Sequence, residues 1–398
     1  MSESNHIAYL SYDGLTDPLG QSQILPYILG LEVKGYSFTI ISFEKPDTFL
    51  AGRIIIERII EKKKISWIPL KYHKRPPVLS TLLDIYFLWR TMRKTHNQNP
   101  FAIIHCRSYI TSLVGLRMKH KTGVKFIFDM RGFWADERVE GGIWNLKNPV
   151  FKIIYNYFKK KEKEFLTNAN QVISLTENAK QEILSWNIKS APIVVIPTCV
   201  DLNLFDPDKI TKKDQEALRA QLRIHPNDFV LIYLGSWGTW YLTREILAFF
   251  SELKKQRNDA KFLIVSNDEI NLEGYQNKSD TIIVHAPRHL VPLYISVANA
   301  SVFFIKPSFS KKASSATKMG EIMAMNKPVI TNKGWGDVEL SISDSSTGYR
   351  VNDFSEQSVR DSLYWVEKGF AKSRQMAINL FDLDMGIDRY DKIYASIN

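Results

Sequence analysis

A hydroxyl, a cation and a carboxylate lie within five residues of one predicted helix start: Thr317, Lys318 and Glu321. Apolar residues at helical spacing predict a helix over 318–326, and Pro328 ends it because helix is disfavoured before proline. Helix starts favour anions, so Lys318 there is unfavourable unless an anion neutralises it. A cation for phosphate and a carboxylate for sugar hydroxyls suit a nucleotide sugar. The alternative is a capping box built on Thr317 beside a solvated lysine.

A glycine-containing loop forms a second candidate anion site. The loop is GSWGTWY, residues 235–241, between an apolar strand predicted over 229–234 and a helix predicted over 242–257. Backbone N–H groups at such a position point toward a ligand, and hydroxyl groups add to them. The groups concerned are Gly235, Ser236, Gly238 and Thr239.

Charged and aromatic residues are concentrated in a third segment, FDMRGFWADERVEGGIW, residues 128–144. It begins at the carboxyl end of a strand predicted over 125–128, where doubly wound folds place ligands. Its candidate site residues are Asp129, Arg131, Asp136, Glu137 and Arg138. So many charges in one loop are costly unless they line a site. The alternative is a salt-bridged loop that packs on a helix.

The elements that must position these groups alternate between strand and helix. Residues 7–12 and 38–43 read as strands around a helix over 24–34, and Gly20 lies in the loop before that helix. This is the opening of a doubly wound domain. The helix predicted over 150–166 has an aromatic face and a lysine-rich face, which is typical of an interfacial helix or of an ordinary surface helix. Residues 373–397 are predicted to be helical, with a break near Gly386.

Length and charge narrow the function classes. A chain of 398 residues favours two or three domains, and it has no apolar run long enough for a transmembrane helix and no signal-peptide pattern. Two cysteines, Cys106 and Cys199, indicate a reduced, cytoplasmic setting. Residues 1–200 hold 28 basic and 17 acidic residues, whereas the remainder holds 25 of each. The first half is therefore predicted to meet acidic lipid, an anionic acceptor or nucleic acid, unless its surface is merely basic and soluble.

Two segments resemble a known family. EIMAMNKPVI, residues 321–330, resembles the EAMACGxPVI signature of family 4 (retaining) glycosyltransferases, and VIPTCVDLNLFDP, residues 195–207, resembles their VIPNGVDxxxFxP linker. The Thr-Lys-x-Gly-Glu form resembles a variant subgroup. The resemblance implies an α/β GT-B fold, with two doubly wound Rossmann-like domains facing across a cleft. Implied boundaries are 1–198 for acceptor binding, 199–375 for nucleotide-sugar binding, and 376–398 for a helical segment returning to the first domain.

The resemblance also assigns roles. In that family Glu321's position binds ribose hydroxyls, but Ala313 replaces a second glutamate that contacts the donor sugar. The usual arginine and lysine on the diphosphate are missing from residues 235–241, and Lys318 would replace them. The predicted catalytic residues are Arg131, Asp129 and Lys318. The predicted donor-binding residues are Gly20, Gly235, Ser236, Gly238, Thr239, Arg288, Thr317, Lys318 and Glu321; the predicted acceptor-binding residues are Asp136, Glu137 and Arg138.

The implied function is transfer of a hexosyl group, with retention, from a nucleoside-diphosphate sugar to a saccharide or lipid-linked acceptor in surface polysaccharide or glycoconjugate synthesis. No metal or other cofactor is expected, since the Asp-x-Asp sequences at 206–208 and 382–384 lie outside the site. The basic first half would place a cytoplasmic protein at the inner face of an anionic membrane. Two alternatives stay open: a sugar-nucleotide epimerase of the same fold, and a non-catalytic nucleotide-sugar binding protein. No nucleic-acid module is recognisable.

Overall fold

A computed structural model describes residues 5–343, 346–368 and 373–397. The chain forms two compact units: Met1–Pro197 with Leu383–Asn398, and Thr198–Asp382. The division after Pro197 lies one residue before the predicted boundary. The segment that rejoins the first unit begins at Leu383 rather than at residue 376, so residues 376–382 belong to the second unit.

The first unit is built on a seven-stranded parallel sheet, in the order β3-β2-β1-β4-β5-β6-β7. Its strands are β1 (His6–Ser11), β2 (Ser37–Glu44), β3 (Ile65–Lys71), β4 (Ile103–Arg107), β5 (Lys125–Asp129), β6 (Gln171–Ser174) and β7 (Ile193–Val195). The central strands are buried along nearly their whole length because helices cover both faces. Such strands are continuous apolar runs, which explains why the sequence pattern located them well.

Nine helices belong to this unit in the described residues: α1 (Pro18–Gln23), α2 (Leu25–Val33), α3 (Pro46–Ile60), α4 (Leu79–Gln98), α5 (Ser108–Thr122), α6 (Trp134–Glu140), α7 (Pro149–Asn168), α8 (Glu177–Ser185) and α16 (Leu383–Ile397). The helix predicted over 24–34 is α2, whereas the loop predicted before it contains the short helix α1. The two helices stay separate because Pro26 lacks the N–H that a continuous helix needs. The segment predicted as a loop over 128–144 contains α6.

The second unit contains a six-stranded parallel sheet, in the order β10-β9-β8-β11-β12-β13. Its strands are β8 (Phe229–Leu234), β9 (Ala260–Val265), β10 (Thr281–Val284), β11 (Ala300–Val302), β12 (Val329–Asn332) and β13 (Tyr349–Val351). Its helices are α9 (Lys212–Gln221), α10 (Thr243–Gln256), α11 (Val291–Ser296), α12 (Thr317–Ala324), α13 (Val338–Ser341), α14 (Glu356–Lys368) and α15 (Ser373–Phe381). Residues 369–371 of the helix predicted over 354–371 lie outside the described residues. None of the helices in the part of the chain that the structure describes has the length and apolar character that crossing a bilayer requires.

The last helix completes the first unit. The predicted break near Gly386 is wrong, since the break lies at Asp382 and Gly386 is buried inside α16. Tyr394 on α16 is fully buried, and its hydroxyl lies 2.8 Å from Nδ1 of His105 on β4. Gly30 on α2 faces Ile387 so closely that a Cβ atom there would lie 2.2 Å from Cδ1 of Ile387. The absence of a side chain at Gly30 therefore sets how closely α16 packs.

We expect Gly30→Ala to lower the free energy of unfolding by about 1–3 kcal/mol, because the added methyl overpacks the α2–α16 contact. Urea denaturation measures this change. Ile387→Val alone should cost about 0.5–1.5 kcal/mol. The double variant should be more stable than the sum of the two effects predicts, since Val lacks the nearest methyl group. Strictly additive effects would contradict the contact.

Candidate functional site

The ammonium group of Lys318 is buried at the start of α12 and has no hydrogen-bond partner among the described residues. Aromatic rings enclose it: Nζ lies 3.7 Å from the ring centroid of Tyr241 and 4.3 Å from that of Tyr233. Phe303 lies farther away, at 5.7 Å. Burial holds the pKa of Lys318 well below its ordinary value, although the charges of Glu321 and Asp268 oppose this. The solvated lysine considered from the sequence is therefore excluded.

The glycine loop after β8 lies directly against this lysine. A Cβ atom on Gly235 would lie 3.2 Å from Nζ of Lys318, so only glycine leaves this side of the ammonium open. Gly235 and Gly238 have φ values of 93° and 96°, which favour glycine, and Thr239 has a φ of 54°. The hydroxyl of Tyr233 donates to the carbonyl oxygen of Ser236. Fold and loop thus bring together two segments that lie some 80 residues apart in sequence.

One part of the predicted anion site is wrong. The N–H of Gly235 donates to the carbonyl of Val265 at 2.9 Å, so the sheet uses it and it is not available to a ligand. The N–H of Trp237 donates to Asp268 Oδ2 at 2.6 Å. The helix α10 begins at Thr243, with Leu242 between it and the loop. The loop therefore contributes space and backbone shape beside Lys318.

Glu321 is held by an ion pair. Nη1 of Arg288 lies 2.7 Å from Oε1 of Glu321, and the guanidinium also lies 5.3 Å from the ring centroid of Phe205. Glu321 is only 7% exposed, so its carboxylate is largely buried. The arginine is half-exposed and orients the carboxylate from one side.

Thr317 does not cap the helix. The N-cap of α12 is Ala316, which makes no side-chain hydrogen bond to the helix, and Thr317 is the first helical residue. The capping-box alternative is therefore wrong as well. Without a side-chain cap, the free N–H groups of this helix start keep their preference for an anion.

The first unit carries a separate cluster of buried charges at the carboxyl ends of β4 and β5. Asp129 is fully buried, with its Oδ2 3.4 Å from Nε2 of His105 and 4.0 Å from Nη1 of Arg107. Nη1 of Arg131 lies 3.8 Å from Asp129 Oδ1. Burial raises the pKa of Asp129, but Arg131, His105 and Arg107 outweigh burial, so the net shift is downward. The carboxylate is therefore ionised at neutral pH. Arg131 has a φ of 58°, a strained backbone of the kind found at functional sites.

The three predicted acceptor residues lie on α6, and Asp136 is largely engaged with α7. The carboxylate of Asp136 accepts hydrogen bonds from the Tyr155 hydroxyl and from Nζ of Lys159, both at 2.8 Å. Glu137 lies in the first turn of α6, and the Arg138 guanidinium lies 5.1 Å from the ring centroid of Trp134. For Asp136 the structure agrees with the alternative of an ion-paired segment packed on a helix.

Gly20, on α1, packs so closely against the backbone of the preceding loop that a side chain has no room there. A Cβ atom there would lie 2.1 Å from the carbonyl oxygen of Gly14 and 2.6 Å from Cα of Leu15. The close approach that requires glycine at this position is therefore made by the preceding loop of the protein itself, and the role of Gly20 in donor binding stays a prediction.

Sequence reasoning missed the aromatic and acidic partners of these groups. Tyr233 and Tyr241 were seen only as part of a strand and of a loop, and Asp268 follows β9 at the same sheet edge as Gly235. In the first unit no role was predicted for His105 or Arg107. The available signal was a charged or polar residue at the carboxyl end of a buried strand, where parallel sheets place their ligands.

Comparison with known structures shows the fold. The protein resembles a glycosyltransferase from Rickettsia africae ESF-5 at 18% identity and a TM-score of 0.73. The similarity covers 98% of this chain and 98% of that chain. Sucrose-phosphate synthase from Thermosynechococcus elongatus is similar at 14% identity and a TM-score of 0.73, covering 98% of each chain. HepE from Anabaena in complex with UDP and glucose is similar at 13% identity and a TM-score of 0.70, covering 98% of this chain and 99% of that one. The fold is GT-B, as the sequence predicted.

Residues 27–204 match the family model of Glycosyltransferase Family 4. No curated protein sequence matches the chain significantly. The family match and the fold together support a glycosyltransferase. In the described residues, no three histidine, cysteine, aspartate or glutamate side chains are grouped so that they could hold a metal ion.

Because Lys318 is buried without a partner, we expect Lys318→Met to stabilise the protein without ligand by about 1–3 kcal/mol at pH 7. At this pH the unfolded lysine binds a proton that the buried one resists, so folding carries a cost. That cost disappears as pH rises through the unfolded pKa of about 10.4. The stabilisation should therefore shrink between pH 7 and pH 10.5 in urea denaturation.

The exposed Lys306, in the loop after β11, provides the control. Lys306→Met should change stability by less than about 0.5 kcal/mol at both pH values. A destabilised Lys318→Met protein would contradict the unpartnered ammonium.

Proposed function

We propose that the protein is a retaining glycosyltransferase of the variant Thr-Lys-x-Gly-Glu subgroup, which transfers a hexosyl group from a nucleoside-diphosphate sugar to a saccharide or lipid-linked acceptor. The observation that carries this proposal is the buried ammonium of Lys318, which faces Gly235 and has no hydrogen-bond partner among the described residues. A buried group of this kind is costly to keep unless a ligand pairs with it. HepE, which is similar in fold, is described in complex with UDP-glucose, and this supports a nucleotide sugar.

Lys318 would act on the leaving diphosphate. In the transfer, the bond between the anomeric carbon and the diphosphate oxygen breaks, and negative charge accumulates on that oxygen. Bound phosphate favours the charged lysine, and the rings of Tyr233 and Tyr241 stabilise an ammonium through their faces. In a site from which water is excluded, such a charge stabilises the transition state more strongly than it would in water.

Glu321 would accept hydrogen bonds from the ribose hydroxyls, with Arg288 fixing its orientation through the 2.7 Å ion pair. We also propose Asp129 and Arg131 as catalytic residues. Their support is an ionised carboxylate and a strained backbone at the carboxyl edge of a parallel sheet. None of these roles uses a metal ion, so we expect activity to survive EDTA.

A non-catalytic nucleotide-sugar binding protein is the second candidate. Ala313 replaces the glutamate of the related family and is 2% exposed. Because alanine has no carboxylate, this position offers none to a ligand. The loop over 235–241 has no arginine or lysine. A binding protein would retain tight donor binding and show no sugar transfer to any acceptor.

A panel of UDP-, GDP-, ADP- and CMP-sugars tests donor binding by thermal shift. One nucleotide class should stabilise the protein by about 2.7 kcal/mol at a hundred times its Kd. With that donor, Lys318→Ala should lower kcat about 100- to 1000-fold and raise the donor KM much less, because the contact strengthens in the transition state.

Lys306→Ala is the matched control, since it removes an exposed lysine close in sequence, and it should leave both constants unchanged. Near-normal turnover of Lys318→Ala would contradict its role and direct attention to Arg288. If the wild-type protein binds the donor but transfers no sugar, the binding-protein candidate is favoured instead.

A peripheral position at the inner face of an anionic membrane is the third element of the proposal, and the charge of residues 1–200 supports it. The protein should bind vesicles of anionic lipid, and binding should fall between 0.1 M and 1 M salt, as the Debye length shortens from about 10 Å to about 3 Å. Sedimentation with vesicles measures this. Equal binding to neutral and anionic vesicles would contradict an electrostatic contribution.

A further inference from the structure

An apolar groove lies in the helical layer of the first unit. The groove has a volume of about 960 Å³ and is bounded by side chains of α4, α5 and α7. Among the predicted site residues, only Arg138 contributes to its wall. Its aromatic wall includes Trp89, Trp134 and Trp144. This volume lies near the top of the range of about 300–1,000 Å³ found for small-molecule pockets.

The groove leaves apolar side chains exposed on two opposite helices. Leu82 on α4 is 57% exposed and Ile153 on α7 is 69% exposed. Their neighbours Leu83 and Val150 are also exposed. Clustered exposure of this kind marks a surface that binds an apolar partner, whereas single exposed residues need no explanation.

The charges around the groove show which apolar partner fits. Five of its lining residues are lysine or arginine and one is acidic: Lys74, Arg117, Lys121, Arg138 and Lys161, against Glu164. Two of these cations lie over the ring of Trp89 in the aromatic wall. The Arg117 guanidinium lies 4.2 Å and Nζ of Lys121 lies 5.5 Å from its centroid. An apolar interior with a basic rim is complementary to a hydrocarbon chain that ends in phosphate.

One end of the groove reaches the edge of the sheet where ligands bind. Tyr12 follows β1 and Tyr72 follows β3. Both side chains line the groove, as does Lys74, which lies two residues after Tyr72 in the chain. The hydroxyl of Tyr12 donates to Asp84 at 2.8 Å, and Nδ1 of His73 lies 2.5 Å from the same carboxylate. This end is therefore polar and ordered, while the walls along α4 and α7 are apolar.

We propose that this groove binds the single hydrocarbon chain of a lipid phosphate, with the phosphate at the Lys74 end and the chain along α4 and α7. The proposal rests on the proposed function for its place in the reaction, because it makes the acceptor lipid-linked. The binding itself needs neither donor nor catalysis. Binding of a hydrocarbon chain in the groove differs from adsorption of the protein onto a bilayer, because a single dissolved lipid molecule is enough to occupy the groove.

Farnesyl phosphate below its micelle concentration is the probe, and tryptophan fluorescence and calorimetry measure binding to the full chain. We expect saturable binding of one molecule. Leu82→Asp and Ile153→Asp should each weaken it at least tenfold, because each places a carboxylate beside the chain. Ile55→Asp, on α3 outside the groove and also 57% exposed, should bind as the wild type does. Lys74→Gln should weaken binding of farnesyl phosphate and leave that of farnesol unchanged.

Equal affinities of the wild type, Leu82→Asp and Ile153→Asp would overturn the proposal. So would binding to vesicles without binding to soluble farnesyl phosphate, which would make this face a membrane contact only. Sugar transfer to a water-soluble saccharide without lipid binding would contradict lipid binding in the groove and would leave the proposed function standing. Lipid binding without donor binding would contradict the proposed function and would leave lipid binding in the groove standing.

Discussion

Both sheets of this protein are parallel throughout, and this constraint places the loops that can hold ligands at the carboxyl edge of each sheet. Consecutive parallel strands need a helical crossover, so every strand delivers its following loop to the same edge. In the second unit this brings the loop after β8 and the residues after β9 beside α12. In the first unit it brings Asp129, the last residue of β5, beside Arg107, the last residue of β4. The candidate sites of the two units follow from this one topological rule.

The two units treat their buried charges differently. In the first unit Asp129 is surrounded by His105, Arg107 and Arg131, so its charge is compensated within the protein. In the second unit Lys318 is enclosed by aromatic rings, and burial lowers its pKa in spite of the charges of Glu321 and Asp268. A compensated cluster is compatible with a purely structural role. An uncompensated ammonium costs stability in the unliganded protein, which is why it is the stronger indication of a ligand.

The helical layer of the first unit explains why α4 and α7 each combine apolar and basic residues, with a lysine-rich face on α7. Helices that only cover a sheet bury their apolar stripe against it. Here part of that stripe stays exposed and borders the groove, while aromatic residues such as Trp134 and Phe158, 4.8 Å apart between ring centroids, form its interior. Residues 150–166 thus form a surface helix whose apolar face is partly exposed beside the groove, and an interfacial role for this helix stays a prediction.

The sequence alone determined the strands, the order of elements and the segments that matter. Buried parallel strands are apolar runs, so the one over 229–234 was located to the residue, and the linker at residues 195–207 indicated the division between the units. Lys318 and Glu321 could be selected because their residue types at a helix start have few ordinary explanations. Only the tertiary structure decided that Lys318 is enclosed by Tyr233 and Tyr241, that Arg288 pairs with Glu321, and that Asp136 is tied to α7. These outcomes depend on side chains from segments far apart in the chain, and burial, which sets their charge and partners, exists only once the sheets and helices have packed.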